Sequence, residues 1–156
     1  MGYFTGKTVI ITGAGRAVLS DGKCGSIGYG IATAYAKEGA NLVITGRNVK
    51  KLTDAKEELE KLYGIKVLAV QADINAGADN EAVVANVVKQ TMDEFGRIDV
   101  LINNAQASAS GVTLAEHTTE PAQAFSATTA SVLTQQQKRV FVVLPVLRQQ
   151  NGAKTV

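Results

Sequence analysis

The chain has one cysteine, Cys24, one histidine, His117, and no tyrosine after Tyr63. A single thiol excludes an internal disulfide and any cysteine-based metal cluster, and Cys24 reads as an incidental loop thiol, not a nucleophile. No apolar run reaches transmembrane length, and Met1-Gly2-Tyr3 leads almost directly into strand-like sequence. Neither a membrane span nor a signal peptide is therefore expected, and a cytoplasmic location is. Charge of one sign is also scarce: a net +2 over 156 residues implies neither a nucleic-acid nor a membrane partner. Asp and Glu stop altogether at Glu120. What remains, 46% hydrophobic and 19% charged residues without repeat or linker, is the composition of one globular domain over residues 1–156.

Strand-like and helix-like segments alternate along most of the chain. Lys7–Thr12 contains the β-branched run Val9-Ile10-Ile11, suited to a buried parallel strand. A helix over Gly28–Gly39 places Ile31, Ala34 and Tyr35 on one side. Leu42–Thr45 reads as a second strand. Asn48 then caps a charged helix whose apolar stripe is Leu52, Ala55, Leu59 and Leu62 and whose stop is Gly64. A third strand at Lys66–Ala72 precedes a helix over Asn80–Phe95 with Val83, Val84, Val87, Val88 and Met92 facing inward, and Asp99–Asn103 is a fourth strand. This order predicts right-handed crossovers and an α/β fold, a doubly wound parallel sheet in three layers.

The junction between the first strand and first helix carries the strongest chemical signal. Gly13 and Gly15 permit a tight turn, and Gly28 lets a helix begin against the strand, the arrangement that places a pyrophosphate at helix amides. Twelve residues separate Gly13 from Ser26, where the compact pattern Thr-Gly-x-x-x-Gly-Ile-Gly has three. An insertion of nine residues, about Arg16 to Cys24 and centred on Asp21-Gly22, is expected to loop out beside the ligand. Ser26 occupies the middle-glycine position before Ile27 and Gly28. Two readings of it stand: its side chain crowds a pyrophosphate, or its hydroxyl donates to one.

Cofactor choice can be read at the end of the second strand. An acidic residue there accepts ribose hydroxyls and repels a 2′-phosphate. Thr45-Gly46-Arg47-Asn48 has none; Gly46 leaves room, Arg47 offers a guanidinium fork, and Lys50 and Lys51 add positive potential. Cations beside a helix amino terminus oppose its dipole, so they point to an anionic ligand. NADP(H) is expected over NAD(H).

Thr12-Gly13, Ala72-Asp73-Ile74 and Leu101-Ile102-Asn103-Asn104-Ala105, in this order and on these elements, resemble the short-chain dehydrogenase/reductase family over about residues 7–120. The resemblance implies a Rossmann-type fold, here incomplete at its carboxyl end. It implies that Asp73 bonds the adenine amino group, that Ile74 packs on the adenine, and that Asn103 and Ala105 contact the ribose region. It further implies a homo-oligomeric oxidoreductase that interconverts a small-molecule carbonyl and an alcohol by hydride transfer. The chain departs from the family pattern at Gln106, where glycine is usual, and at Val132, where the relay asparagine is expected.

From Phe125 to Pro145 the resemblance predicts the family's fourth helix, while the valines of Arg139–Leu144 favour a strand by propensity. The catalytic serine and the Tyr-x-x-x-Lys pair, whose tyrosine is a general acid or base, have no counterpart after Asn104. Tyr3-Phe-Thr-Gly-Lys7 has the spacing but precedes the first strand and reads as a chance match, and His117 reads as a loop residue. No catalytic residue is assigned, and the 156 residues alone are expected to be inactive. Two alternatives remain: an enoyl-reductase-like member, suggested by Ser26 to Ala32, and a non-catalytic nucleotide-binding or interaction domain.

Overall fold

In the computed structural model of the chain, residues 2–20, 22, 25–73 and 79–105 are described in full and residues 141–143 by their backbone. The sheet has five parallel strands in the order β3-β2-β1-β4-β5. They are β1 (Thr8–Thr12), β2 (Asn41–Gly46), β3 (Val67–Gln71), β4 (Val100–Ile102) and β5 (Phe141–Val143), and the helices are α1 (Ile27–Lys37), α2 (Val49–Tyr63) and α3 (Asn80–Phe95).

Alternation along the central strand builds the three layers. Val9 and Ile11 point into an apolar cluster with Leu42 and Ile44 of β2, Ala32 and Ala36 of α1, and Leu52, Ala55 and Leu59 of α2. Ile10 points the opposite way, joining Val43, Leu101 and the α3 residues Val84, Val87 and Val88. A strand buried on both faces favours apolar residues on both, which is why Val9, Ile10 and Ile11 form a continuous run.

Local signals set the helix ends. The Asn48 side chain accepts from the Lys51 amide at 3.0 Å, and Gly64 ends α2 in the left-handed conformation, its amide returned to the Glu60 carbonyl. The inward faces differ from the sequence reading in two places. Leu62 is exposed, while Leu59 and Tyr63 are the residues of the last turns that pack on the core. On α1 the buried residues are Gly28, Tyr29, Ala32 and Ala36, whereas Ala34 faces solvent. Ile31 and Tyr35 do pack against the core cluster, half-buried, as expected.

The strand at 141–143 corrects the helix expected across Phe125–Pro145, of which the other residues lie outside the described ones. Its Phe141, Val142 and Val143 register with Val100, Leu101 and Ile102. The valine-rich propensity, not the helical spacing, prevails there.

Because the chain leaves β1 toward β2 and β3 and then crosses to β4 on the other side, the strand order reverses between β1 and β4. A crevice opens at their carboxyl ends, where sheets of this type bind ligands.

Candidate cofactor site

Thr12 ends β1 at this crevice, and its hydroxyl is a hub. Thr12 Oγ1 accepts from the amides of Asn104 and Ala105, each at 3.0 Å, and donates to the Ile102 carbonyl at 3.4 Å. Asn104 Nδ2 donates in turn to the carbonyls of Thr12 (3.0 Å) and Gly13 (3.3 Å). The loop after β4 is thereby tied to the turn after β1 across about ninety residues of sequence, as the separation of 92 between Thr12 and Asn104 shows.

That turn requires glycine twice for different reasons. Gly13 has φ +69°, and a Cβ there would lie 2.9 Å from Ala105 Cα. Gly28 is helical, but a Cβ on it would come within 2.3 Å of the Gly13 carbonyl oxygen and 2.6 Å of Asn104 Nδ2. The first turn of α1 is thus pressed against the turn with no space for a methyl. Ser26 caps α1 with its oxygen accepting from the Tyr29 amide at 3.5 Å, and no acidic residue stands in the first turn. The first amides of a helix have no acceptor within it, so they present an anion site at the mouth of the crevice. Ile27, at the helix start, is 79% exposed there.

The insertion does not disrupt the turn because it closes on itself. The Gly25 amide donates to the Ala17 carbonyl at 2.8 Å and the Gly22 amide to the Leu19 carbonyl at 2.9 Å, so the chain leaves and returns at nearly the same place. Cys24 lies outside the described residues. Before the excursion, Ala14 donates to the Thr45 carbonyl at 3.0 Å and Arg16 to the Lys51 carbonyl at 2.8 Å. Gly15 sits on α2: a Cβ there would be 3.1 Å from Lys51 Cβ. The Arg16 guanidinium pairs with Glu58, and this bond, the Glu58 charge and the neighbouring Tyr29 hydroxyl hold its pKa above the usual arginine value despite partial desolvation.

Arg47 follows Gly46 at the carboxyl end of β2. Its carbonyl accepts from Gln71 Nε2 at 3.0 Å, while its side chain is exposed and has no carboxylate partner among the described residues. Lys50 is engaged by Asp54 at 3.0 Å. Asp73 lies just past β3, exposed, beside the same rim; Ile74 falls outside the described residues.

The paired asparagines after β4 divide their work. Asn104 satisfies backbone groups, as described above. Asn103 is 4% exposed, yet neither its amide nitrogen nor its amide oxygen has a partner among the described residues. A buried, unsatisfied amide at a sheet crevice fits a bound polar group. With the Gly13–Gly28 cradle and the acid-free start of α1, the residues present suit a dinucleotide. The structure adds Thr12, Asn104, Arg16 and Glu58 to those expected from sequence; Thr12 and Asn104 were signalled by their motifs, the other pair by nothing local.

The family model described as short chain dehydrogenase matches residues 7–153. The chain belongs to that family. It is 61% identical over 118 residues to a 12alpha-hydroxysteroid dehydrogenase of Clostridium sp., covering 76% of this chain and 43% of that protein. Among solved structures, L-sorbose reductase from Gluconobacter frateurii, complexed with NADPH and L-sorbose, aligns with a TM-score of 0.63 at 32% identity, covering 86% of this chain and 47% of the reductase. A short-chain dehydrogenase from Sphingobium yanoikuyae in complex with NADPH aligns at 0.66 and 28% identity, covering 88% of this chain and 52% of its own. The chain therefore spans about half the length of such relatives. Tyr3 and Lys7 are at the opposite end of the sheet from the cradle, before β1; Tyr3 is 91% exposed and Lys7 pairs with Asp99 at 3.6 Å, as a chance Tyr-x-x-x-Lys spacing requires. His117, Val132 and Gln106 lie outside the described residues, and among those described no helix is long and apolar enough to cross a membrane.

Proposed function

We propose that the chain carries the cofactor-binding half of an NADP(H)-dependent short-chain oxidoreductase that interconverts an alcohol and a carbonyl. The observation that carries the cofactor choice is Arg47, exposed and unpaired among the described residues beside Gly46, at the strand end where an acid would select NAD(H). The NADPH complexes among the structural relatives support the same reading. In it, Gly13, Gly15, Ser26, Ile27 and Gly28 hold the pyrophosphate, and Arg47 holds the 2′-phosphate. Asp73 and Ile74 take the adenine, and Asn103 with Ala105 takes the nicotinamide-side ribose. The bound dinucleotide supplies or accepts hydride; the chain binds and orients it. The 61% identity to a hydroxysteroid dehydrogenase makes a steroid alcohol the favoured substrate class of the complete enzyme.

A charge-assisted guanidinium–phosphate contact contributes about 1.5–3 kcal/mol, or at least roughly tenfold in affinity. Calorimetry on the native chain should show NADPH binding at least tenfold tighter than NADH, and Arg47→Asp should abolish or reverse that ratio. Equal binding of the two cofactors by the native chain, or a ratio unmoved by the substitution, would remove the assignment of Arg47.

A further inference from the structure

The insertion begins on a residue that ties three elements together. The Arg16 amide bonds the Lys51 carbonyl at 2.8 Å, in the first turn of α2. Its guanidinium reaches Glu58, seven positions further along the same helix and so on the same face. The Tyr29 hydroxyl of α1 is a further hydrogen-bonding neighbour of that guanidinium. Immediately before it, Gly15 allows the backbone to lie on Lys51, where a Cβ would stand 3.1 Å from the lysine Cβ. The segment past Arg16 then closes through the Gly25–Ala17 bond of 2.8 Å and makes no demand on the turn. Arg16 and Glu58 are each 34% exposed on their side chains, so the pair contributes little to global stability. Its effect is geometric. The first turn of α2 contains Lys51, whose amide is capped by Asn48, and Arg47 directly precedes that cap.

Resting on the NADP(H) reading above, we propose that Arg16 is a positioning residue for the adenosine 2′-phosphate: clasped by Glu58, it locks the glycine turn to the start of α2 and fixes where Arg47 stands. Arg16 does not itself contact the phosphate in this scheme, because its guanidinium is committed to Glu58. The insertion is then a means of carrying the turn out to α2 and back without altering the Gly13–Gly28 contact.

The alternative, in which Arg16 is a phosphate ligand and Glu58 its competitor, predicts the opposite sign for one substitution. Binding of 2′,5′-ADP and of 5′-AMP to the 156-residue chain is measured by calorimetry for native, Glu58→Gln and the charge swap Arg16→Glu/Glu58→Arg, with thermal melting of each. The clasp requires Glu58→Gln to weaken 2′,5′-ADP by roughly three- to tenfold while 5′-AMP binding is unchanged, and the swap to restore the native ratio although position 16 no longer carries an arginine. Tighter or unaltered 2′,5′-ADP binding in Glu58→Gln overturns it. So does an equal loss for both ligands, which marks a merely structural role. Should Glu58→Gln fail to fold, the swap decides alone: a native-like ratio supports the clasp and a lost ratio sinks it. A native chain that does not distinguish the two ligands fails at the NADP(H) reading itself, whatever the variants do.

Discussion

At the scale of single residues, the site depends on contacts too close for ordinary side chains. Gly28 and Gly30 are both in the first turns of α1, and helix propensity penalises them equally, by roughly 1 kcal/mol relative to alanine. Their surroundings separate them. A Cβ at Gly28 would strike the Gly13 carbonyl and the Asn104 amide at 2.3 and 2.6 Å, and the first of these is backbone that cannot yield cheaply. At Gly30 a Cβ meets nothing within 4 Å. We therefore expect Gly30→Ala to raise stability by about 0.4–1 kcal/mol and to leave cofactor binding intact. Gly28→Ala should lower it by about 1–3 kcal/mol and weaken NADPH by parting the helix from the turn. Denaturant titration with calorimetry on both variants checks this; a benign Gly28→Ala would mean that the helix approaches the turn less closely than described. Asn103 poses the complementary case, a buried amide that has no protein partner among the described residues, an arrangement that a bound ribose would relieve.

At the scale of elements, the amino-terminal ends of β1 and β4 are joined as firmly as their carboxyl ends. Asp99 accepts from the Thr8 amide at 2.9 Å and from Arg97 at 2.8 and 2.6 Å, and Lys7 lies 3.6 Å away. Partial burial pushes its carboxyl up, but the Arg97 and Thr8 hydrogen bonds and the two cationic charges outweigh this and hold it below the usual aspartate range. A carboxyl depressed on folding contributes stability that is fully present above its unfolded pKa, about 4, and is lost as pH falls through the folded value. Asp99→Asn should cost about 1 kcal/mol at neutral pH and should flatten the fall in stability below about pH 4. Melting curves from acid to neutral pH that are parallel for the two proteins would show that Asp99 is not the titrating group. Elements with strong local signals were legible from sequence: α3 has the bounds Asn80–Phe95 that its valine spacing gave, and α2 starts and stops at Asn48 and Gly64. The face of α1 was legible in part: Ile31 and Tyr35 pack against the core as their spacing gave, but Ala34 is exposed and the buried positions are Gly28, Tyr29, Ala32 and Ala36. The strand at 141–143 was obscured by a helical spacing borrowed from the family, although its own valines pointed to extended backbone.

At the scale of the whole molecule, the glycine turn holds the fold's two halves together. It is bonded to β2 through Ala14–Thr45, to β4 through Thr12–Asn104, to α2 through Arg16, and it presses on α1 at Gly28. The glycines and Arg47 were readable because a turn and a missing carboxylate are local facts. The Asn104 knot and the Glu58 clasp are contacts between distant segments, which one sequence does not record. A dinucleotide spanning this junction would engage groups that come together only in the native state, so its binding should stabilise the entire domain. At a concentration one hundredfold above its dissociation constant, NADPH would add about 2.7 kcal/mol. For a chain of this size that corresponds to a rise in Tm of roughly 5–10 °C, with NADH at the same concentration giving visibly less. Binding need not bring turnover. The chain has no tyrosine after Tyr63 and carries Tyr3 before β1, so among the described residues no Tyr-x-x-x-Lys pair stands at the crevice. The 156 residues with NADPH and a ketosteroid should therefore show the thermal shift but no loss of nicotinamide absorbance above background. Turnover that disappears on changing His117 or Tyr3 would refute the separation of binding from catalysis, and a missing thermal shift would refute the binding itself.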